Sequence, residues 1–180
     1  MNKQEYDVII VGASVTGLCM ANYLAKKGLK LLVIDLKRIK NIGESVSGKV
    51  LTEQSVDFLK NAFDVRIPKK FIENIVNNTS IGTINGSSLN INTKYYIINK
   101  KKLSAYLIGK VIGFENFKFL ERHIITDLIR EDRSYSGIKA RDIMRGATKT
   151  LKARIIVDAS GSTAVIRRKL PKNRFFNKDI

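Results

Sequence analysis

The sequence predicts an α/β fold that opens on a βαβ unit, and three observations near its start predict it. Val8 to Val11 form a short apolar run of the kind that makes a strand buried on both faces. Gly12-Ala13-Ser14-Val15-Thr16-Gly17 follows at once and opens a helix carrying Leu18, Ala21, Tyr23, Leu24 and Ala25. A second apolar run, Leu31 to Ile34, then ends in Asp35, about 20 residues beyond the loop. A helix N-terminus offers free N–H groups and a positive dipole end to a diphosphate. Gly12 suits the tight turn, Gly17 suits close packing of helix on strand, and Asp35 suits the hydroxyls of an adenosine ribose. Ser14 stands where the glycine pattern has its middle glycine, so a Cβ limits the approach of the diphosphate while a hydroxyl adds a donor. An ordinary βαβ unit with a chance glycine turn is the alternative.

The later elements follow in order. A basic loop after Asp35 leads to Ile42-Gly43-Glu44-Ser45-Val46-Ser47-Gly48, and a helix is expected to carry Val50, Leu51, Val56, Leu59 and Phe63. From Phe71 to Asn99 the pattern turns to short β segments. Asn85-Gly86 marks a hairpin between 80–84 and 88–92, and 94–98 is a further strand. Lys100 to Gly113 reads as an amphipathic helix with Leu103, Tyr106, Leu107, Val111 and Ile112 on its inner face. Strands are expected over 117–120 and 124–130; Ser136-Gly137 should turn the chain into a strand over 138–144, and Arg145-Gly146 turns it into a return strand through Lys152. A separate short strand, Arg154 to Val157, runs into the small-residue turn Asp158 to Thr163, and 164–170 resumes a helix-like pattern. The chain divides as 1–70, a β-rich segment 71–99, 100–170, and a basic tail 171–180.

Composition bounds the class. The chain has 180 residues, 44% of them hydrophobic and only two prolines, which suits one globular core. Cys19 is the only cysteine, so no internal disulfide is possible; among small helical residues it reads as a buried, inert thiol in a reducing compartment. Glu5 and Asp7 before the first apolar stretch argue against a signal peptide. The expectation is a cytoplasmic protein, peripheral at the inner membrane face at most. Lys and Arg outnumber Asp and Glu 33 to 16, giving a formal +17, but the basic residues are scattered and match no nucleic-acid module, so no nucleic-acid partner is expected. Such a surface favours anionic cofactors, diphosphate substrates and acidic headgroups. No metal site is predicted. His123, the only histidine, reads as structural or exposed.

With both ends in view, the chain resembles the N-terminal part of class A FAD-dependent oxidoreductases, and among them the geranylgeranyl reductase family. Four passages carry the resemblance: the strand, loop and acid of 6–35; Gly43-Glu44-Ser45-Val46-Ser47 with its following helix; Tyr96 to Leu107; and Ala153 to Ser162 with Arg167-Arg168. It implies a Rossmann-like, GR2-type FAD-binding βαβ domain with an inserted β-rich segment, ending before the family's C-terminal part. It implies FAD as cofactor, with Gly12, Ser14, Thr16 and Gly17 at the diphosphate and Asp35 on the ribose. Gly43 and Glu44 would lie toward the flavin, Lys100 would replace a cofactor-reaching arginine, Ile124 would meet adenine through its backbone, and Asp158 and Gly161 would form a second flavin-supporting turn. Ile42 stands where relatives often carry cysteine, and Ser160 replaces an aspartate. No catalytic residue is named, although Glu44 is the carboxylate to test.

The implied chemistry is hydride transfer from reduced flavin to prenyl-chain double bonds of a prenylated lipid or prenyl diphosphate, with electrons from ferredoxin or NAD(P)H. The family continues through a Gly-Asp motif not found before Ile180, so the chain is expected to be a fragment, one half of a split protein or a frameshifted product. The alternatives are a class A monooxygenase or flavin-dependent halogenase, whose loop Ile42-Gly43-Glu44-Ser45 also resembles, a non-catalytic dinucleotide-binding remnant, and an NAD-dependent dehydrogenase.

Overall fold

The computed structural model describes residues 6–44 and 49–171. Its centre is a parallel ladder. Strand β1 (Tyr6–Val11) pairs on one side with β2 (Leu31–Ile34), which pairs in turn with β8 (Phe117–Leu120), and on the other side with β11 (Thr148–Asp158). Helix α1 (Val15–Lys26) makes the crossover from β1 to β2. Strands β9 (His123–Glu131) and β10 (Ser134–Asp142) extend the sheet antiparallel through β11, giving the order β8-β2-β1-β11-β10-β9.

Alternation along β1 explains the layering. Val8 and Ile10 face a cluster with Leu18, Cys19 and Ala21 of α1 and with Leu103, Leu107 and Val111 of α3 (Lys100–Val111). Ile9 and Val11 face a second cluster with Ile125, Ile138, Ala140 and Leu151 of the antiparallel strands. Helices therefore cover one face and the β9–β10–β11 meander covers the other, which is why β1 and β2 are apolar at successive positions. Polar clamps tie the helical side together: buried Asn22 donates from Nδ2 to Leu18 O and Leu107 O at 2.8 and 2.9 Å, joining α1 to α3.

A smaller sheet, β3-β7-β4, is built from β3 (Val50–Thr52), β7 (Tyr95–Ile98) and β4 (Ile72–Val76), and the two-stranded hairpin of β5 (Thr79–Gly82) and β6 (Ser88–Ile91) extends beyond it. Because β3 pairs with β7, the 71–99 segment is joined by backbone hydrogen bonds to the chain before residue 70.

Several sequence expectations are corrected. Val50 and Leu51 lie in β3 rather than in a helix; α2 begins at Glu53 and ends at Phe63, with the Thr52 hydroxyl capping it through Ser55 N–H at 3.1 Å. On α3, Ile112 is 54% exposed and Ile108 takes the inward place. Ser136 and Gly137 do not turn the chain but lie within β10, beside a register shift, where Leu151 O approaches so closely that any Cβ at Gly137 would collide with it. The turn comes earlier, with Asp132 in the left-handed region. Thr148 to Asp158 is one continuous strand, not two, because its first half pairs with β10 and its second half with β1. Residues 164–170 hold only a 3-10 turn, Arg167–Lys169, in place of the helix-like continuation.

Candidate dinucleotide site

The site is assembled where β1, β2 and β11 end side by side. Strand order reverses between β1 and β11, the crevice position at which open α/β sheets hold ligands. Three backbone bonds lock the ends together: Gly12 N–H donates to Ile34 O at 2.8 Å, Ala159 N–H to Val11 O at 2.8 Å, and His123 N–H to Asp35 O at 3.1 Å.

Gly12 has φ +104°, and a Cβ there would lie 2.5 Å from Ala159 O. The first glycine turn is thus pressed against the second turn, a contact only glycine permits. A Cβ at Gly17 would meet Gly12 O at 2.4 Å, as expected of the glycine that lets helix and strand pack closely. Ser14 is the N-cap of α1, its hydroxyl accepting from Gly17 N–H at 3.2 Å. Asp35 accepts from Ala13 N–H at 2.7 Å and from Lys37 N–H at 2.8 Å, so the acid at the end of β2 braces the glycine loop across the crevice. Val15 and Thr16 occupy the first turn of α1, where N–H groups have no intrahelical acceptor and are oriented for an anion.

The second turn is organised by its own acid. Asp158 Oδ1 accepts from the Ser160 N–H and hydroxyl, and Oδ2 accepts from the N–H groups of Ile166 and Arg167 at 2.9 and 3.1 Å. Partial burial pushes this carboxyl upward, but the Ser160 hydroxyl and the three backbone donors outweigh it and hold the group below the ordinary aspartate range. Ser160, which replaces an aspartate of the resemblance, also accepts from Val165 N–H at 2.8 Å. Gly161 lies at φ +68° with open space about its Cα.

Gly43 and Glu44 form a second anchored corner. Gly43, at φ +86°, packs on the start of α3, where a Cβ would meet Lys100 O at 2.7 Å. Glu44 is ion-paired to Lys101 at 2.5 Å, and Lys37 Nζ donates to its backbone oxygen. The hydrogen bond and charge of Lys101 hold the Glu44 carboxyl below its usual value. Glu44 is thereby tied to the first turn of α3, whose first residue, Lys100, lies with its carbonyl against Gly43. Ser45 to Gly48 lie outside the described residues.

Ile124 follows His123 in β9, next to the end of β2. A cleft of about 380 Å³ opens beyond Asp35, lined by Leu36, Lys37, Arg38, Glu44, Arg122 and Met144 among others. The parts of this region that sequence reasoning missed are Lys37, Lys101 and Arg122. Lys101 meets Glu44 across 57 residues of sequence, so no local pattern marks that pair. His123 is buried, with Nδ1 at 2.7 Å from Glu121 O.

Chemically, two abutting turns with capped helix donors and a bracing carboxylate suit a diphosphate joined to a ribose, and the room that Gly12 and Gly17 keep free of side chains is what such a group requires. The residues present fit an adenine dinucleotide such as FAD.

Comparison with known proteins agrees with that geometry. Residues 5–179 match the FAD binding domain family. The digeranylgeranylglycerophospholipid reductase of Sulfolobus acidocaldarius is 24% identical over 189 aligned residues, covering 100% of this chain and 39% of the reductase, and the thiamine thiazole synthase of Pyrococcus abyssi is 25% identical, covering 96% of this chain and 64% of the synthase. The chain thus spans about two fifths of the length of such reductases. Among solved structures, a geranylgeranyl bacteriochlorophyll reductase-like protein from Thermoplasma acidophilum superposes with a TM-score of 0.69 at 24% identity, over 87% of this chain and 39% of that one. A myxobacterial FAD-dependent chondrochloren halogenase gives 0.69 at 19% identity, over 88% and 38%, so the two share the fold. With the family model matched along nearly its whole length, this chain belongs to the FAD binding domain family, and its cofactor is FAD.

Proposed function

We propose that this chain is the FAD-holding portion of an oxidoreductase of the geranylgeranyl reductase type, which saturates prenyl-chain double bonds of isoprenoid lipids. The observation that supports this reading is the match of the entire chain to a digeranylgeranylglycerophospholipid reductase. Bound and reduced, FAD supplies the hydride; the polypeptide supplies position and charge.

In this reading the N–H groups at Val15 and Thr16, the Ser14 cap and the bare faces of Gly12 and Gly17 receive the diphosphate. Asp35 keeps its two backbone donors and accepts the ribose hydroxyls on its remaining lone pairs. The backbone of Ile124 meets adenine. Gly43 and the Lys101-paired Glu44 fix the loop toward the flavin, and Lys100 adds positive charge there without the fork of an arginine. Asp158 and Gly161 shape the second turn. The division into 1–70, 71–99, 100–170 and 171–180 gives the 71–99 segment the substrate side, with Tyr95 and Tyr96 pointing to opposite faces of β7, so that one of them meets an apolar substrate. A prenylated lipid or prenyl diphosphate is the substrate, ferredoxin or NAD(P)H the electron source, and contact with the membrane is peripheral.

The test is to purify the chain with FAD and record the flavin absorbance, then, in a version completed with the remaining length of such a reductase, reduce the flavin chemically and supply a prenylated glycerolipid. Two hydrogens gained per double bond, read by mass spectrometry, is the expected outcome. A colourless protein that takes up no FAD points to a remnant, and oxygen insertion or halide dependence points to the monooxygenase or halogenase chemistry of other proteins with this fold.

A further inference from the structure

The chain is 27% charged, yet residues 74–93 contain no Asp, Glu, Lys or Arg, so the whole +17 lies outside them. Those residues build the end of β4 and the β5–β6 hairpin, which continues outward from the β4–β7 ladder beyond its Val76–Tyr95 pair. The hairpin is two-faced. Ser80 and Asn90 hydrogen-bond across one face, while Ile81 pairs directly with Leu89 on the other. Ile81 and Leu89 are 55% and 63% exposed, and Ile84 at the turn is wholly exposed.

Exposed edges in water normally carry lysine or other charges that prevent pairing and sticking. A two-stranded hairpin without such protection, and with its aliphatic face bare, is marginal in water. A bilayer interface removes both problems, since it takes up aliphatic side chains and excludes charge from the inserted element. The surrounding charge suits such a partner: Lys94 stands at the hairpin's root, where it also meets Glu53, and the chain outside 74–93 carries the whole formal +17. Aliphatic insertion and basic attraction are the two signals that together hold a peripheral protein on a membrane.

We propose that the β5–β6 hairpin is a membrane-contact element that lays Ile81, Ile84 and Leu89 into the interface of an anionic lipid bilayer. The contact needs no FAD, so its failure and the failure of the proposed reductase chemistry are separately visible.

The chain lacks tryptophan, so Ile84→Trp places a single reporter at the turn, where a substitution touches no core. Vesicles of equal parts phosphatidylcholine and phosphatidylglycerol should shift its emission to the blue, and brominated acyl chains should quench it. Ile81→Thr with Leu89→Thr, folding verified by circular dichroism, should weaken vesicle binding by about tenfold or more. Phosphatidylcholine alone should bind more weakly than the mixture. Unshifted tryptophan emission, or equal binding by the double variant, overturns the proposal in favour of attraction through surface lysines alone. A blue shift that appears without vesicles and grows with protein concentration overturns it in favour of a second copy of the chain on this face.

Discussion

At the scale of single residues, the positive-φ glycines of the two abutting turns, Gly12 and Gly161, make different demands. Gly12 combines φ +104° with Ala159 O only 2.5 Å from where a Cβ would lie, and the oxygen belongs to backbone that cannot swing away. Gly12→Ala is expected to cost about 2–4 kcal/mol and to abolish FAD retention, because the two turns are forced apart. Gly161→Ala meets no atom and bears only the left-handed backbone penalty of about 1–2 kcal/mol. Thermal melts and flavin titration of the two variants should separate them clearly; equal effects would show that the contact between the turns is unimportant. Cys19 provides a second measurement at this scale. It is fully buried, and burial pushes its thiol up to about 12, so alkylation at neutral pH should follow global unfolding and be negligible in the native protein. The glycine turn at Gly12, the close packing at Gly17, the place of Asp35 at the end of β2 and the burial of Cys19 were legible from local spacing. The bracing of Ala13 by Asp35 and the Glu44–Lys101 pair were not, because each joins residues brought together only by the folded sheet and helix.

At the scale of elements, the second turn illustrates how a substitution is absorbed. Ser160 and Asp158 together gather the N–H groups of Val165, Ile166 and Arg167, doing for a 3-10 turn what helical hydrogen bonds would have done for the helix-like continuation. The folded Asp158 carboxyl is held below its ordinary value, so its contribution is present above the unfolded value near 3.9 and is lost as pH falls through the lower folded value. Hydrogen exchange of 158–167 measured across that acid window should show this turn loosening, and Asp158→Asn should remove the pH dependence. The β strands after residue 71 were legible from alternation and the Asn85-Gly86 turn, whereas the turn expected at Ser136-Gly137 was misplaced. Glycine there serves the close approach of β11 within a bulged ladder, and a local reading cannot tell that use from a turn.

At the scale of the whole molecule, β1 and β11 are what make one cooperative unit of two cores. Ile9 feeds the meander side and Ile10 the helical side, both fully buried, so Ile9→Ala and Ile10→Ala should each cost about 2–5 kcal/mol while unfolding stays a single transition by fluorescence and circular dichroism. Two separated transitions would mean that the layers fold independently. The sequence by itself determined the α/β class and the glycine loop with its acid, since these depend on periodicity and on short-range spacing that backbone geometry enforces, while FAD followed from the resemblance of four passages to a known family. Only the tertiary structure decided that β11 runs unbroken through both ladders, that Gly12 is wedged against Ala159, that Glu44 is held by a lysine far along the chain, and that an uncharged hairpin is left bare. Those features arise from contacts between segments distant in sequence, where packing and pairing, rather than local propensity, set the outcome.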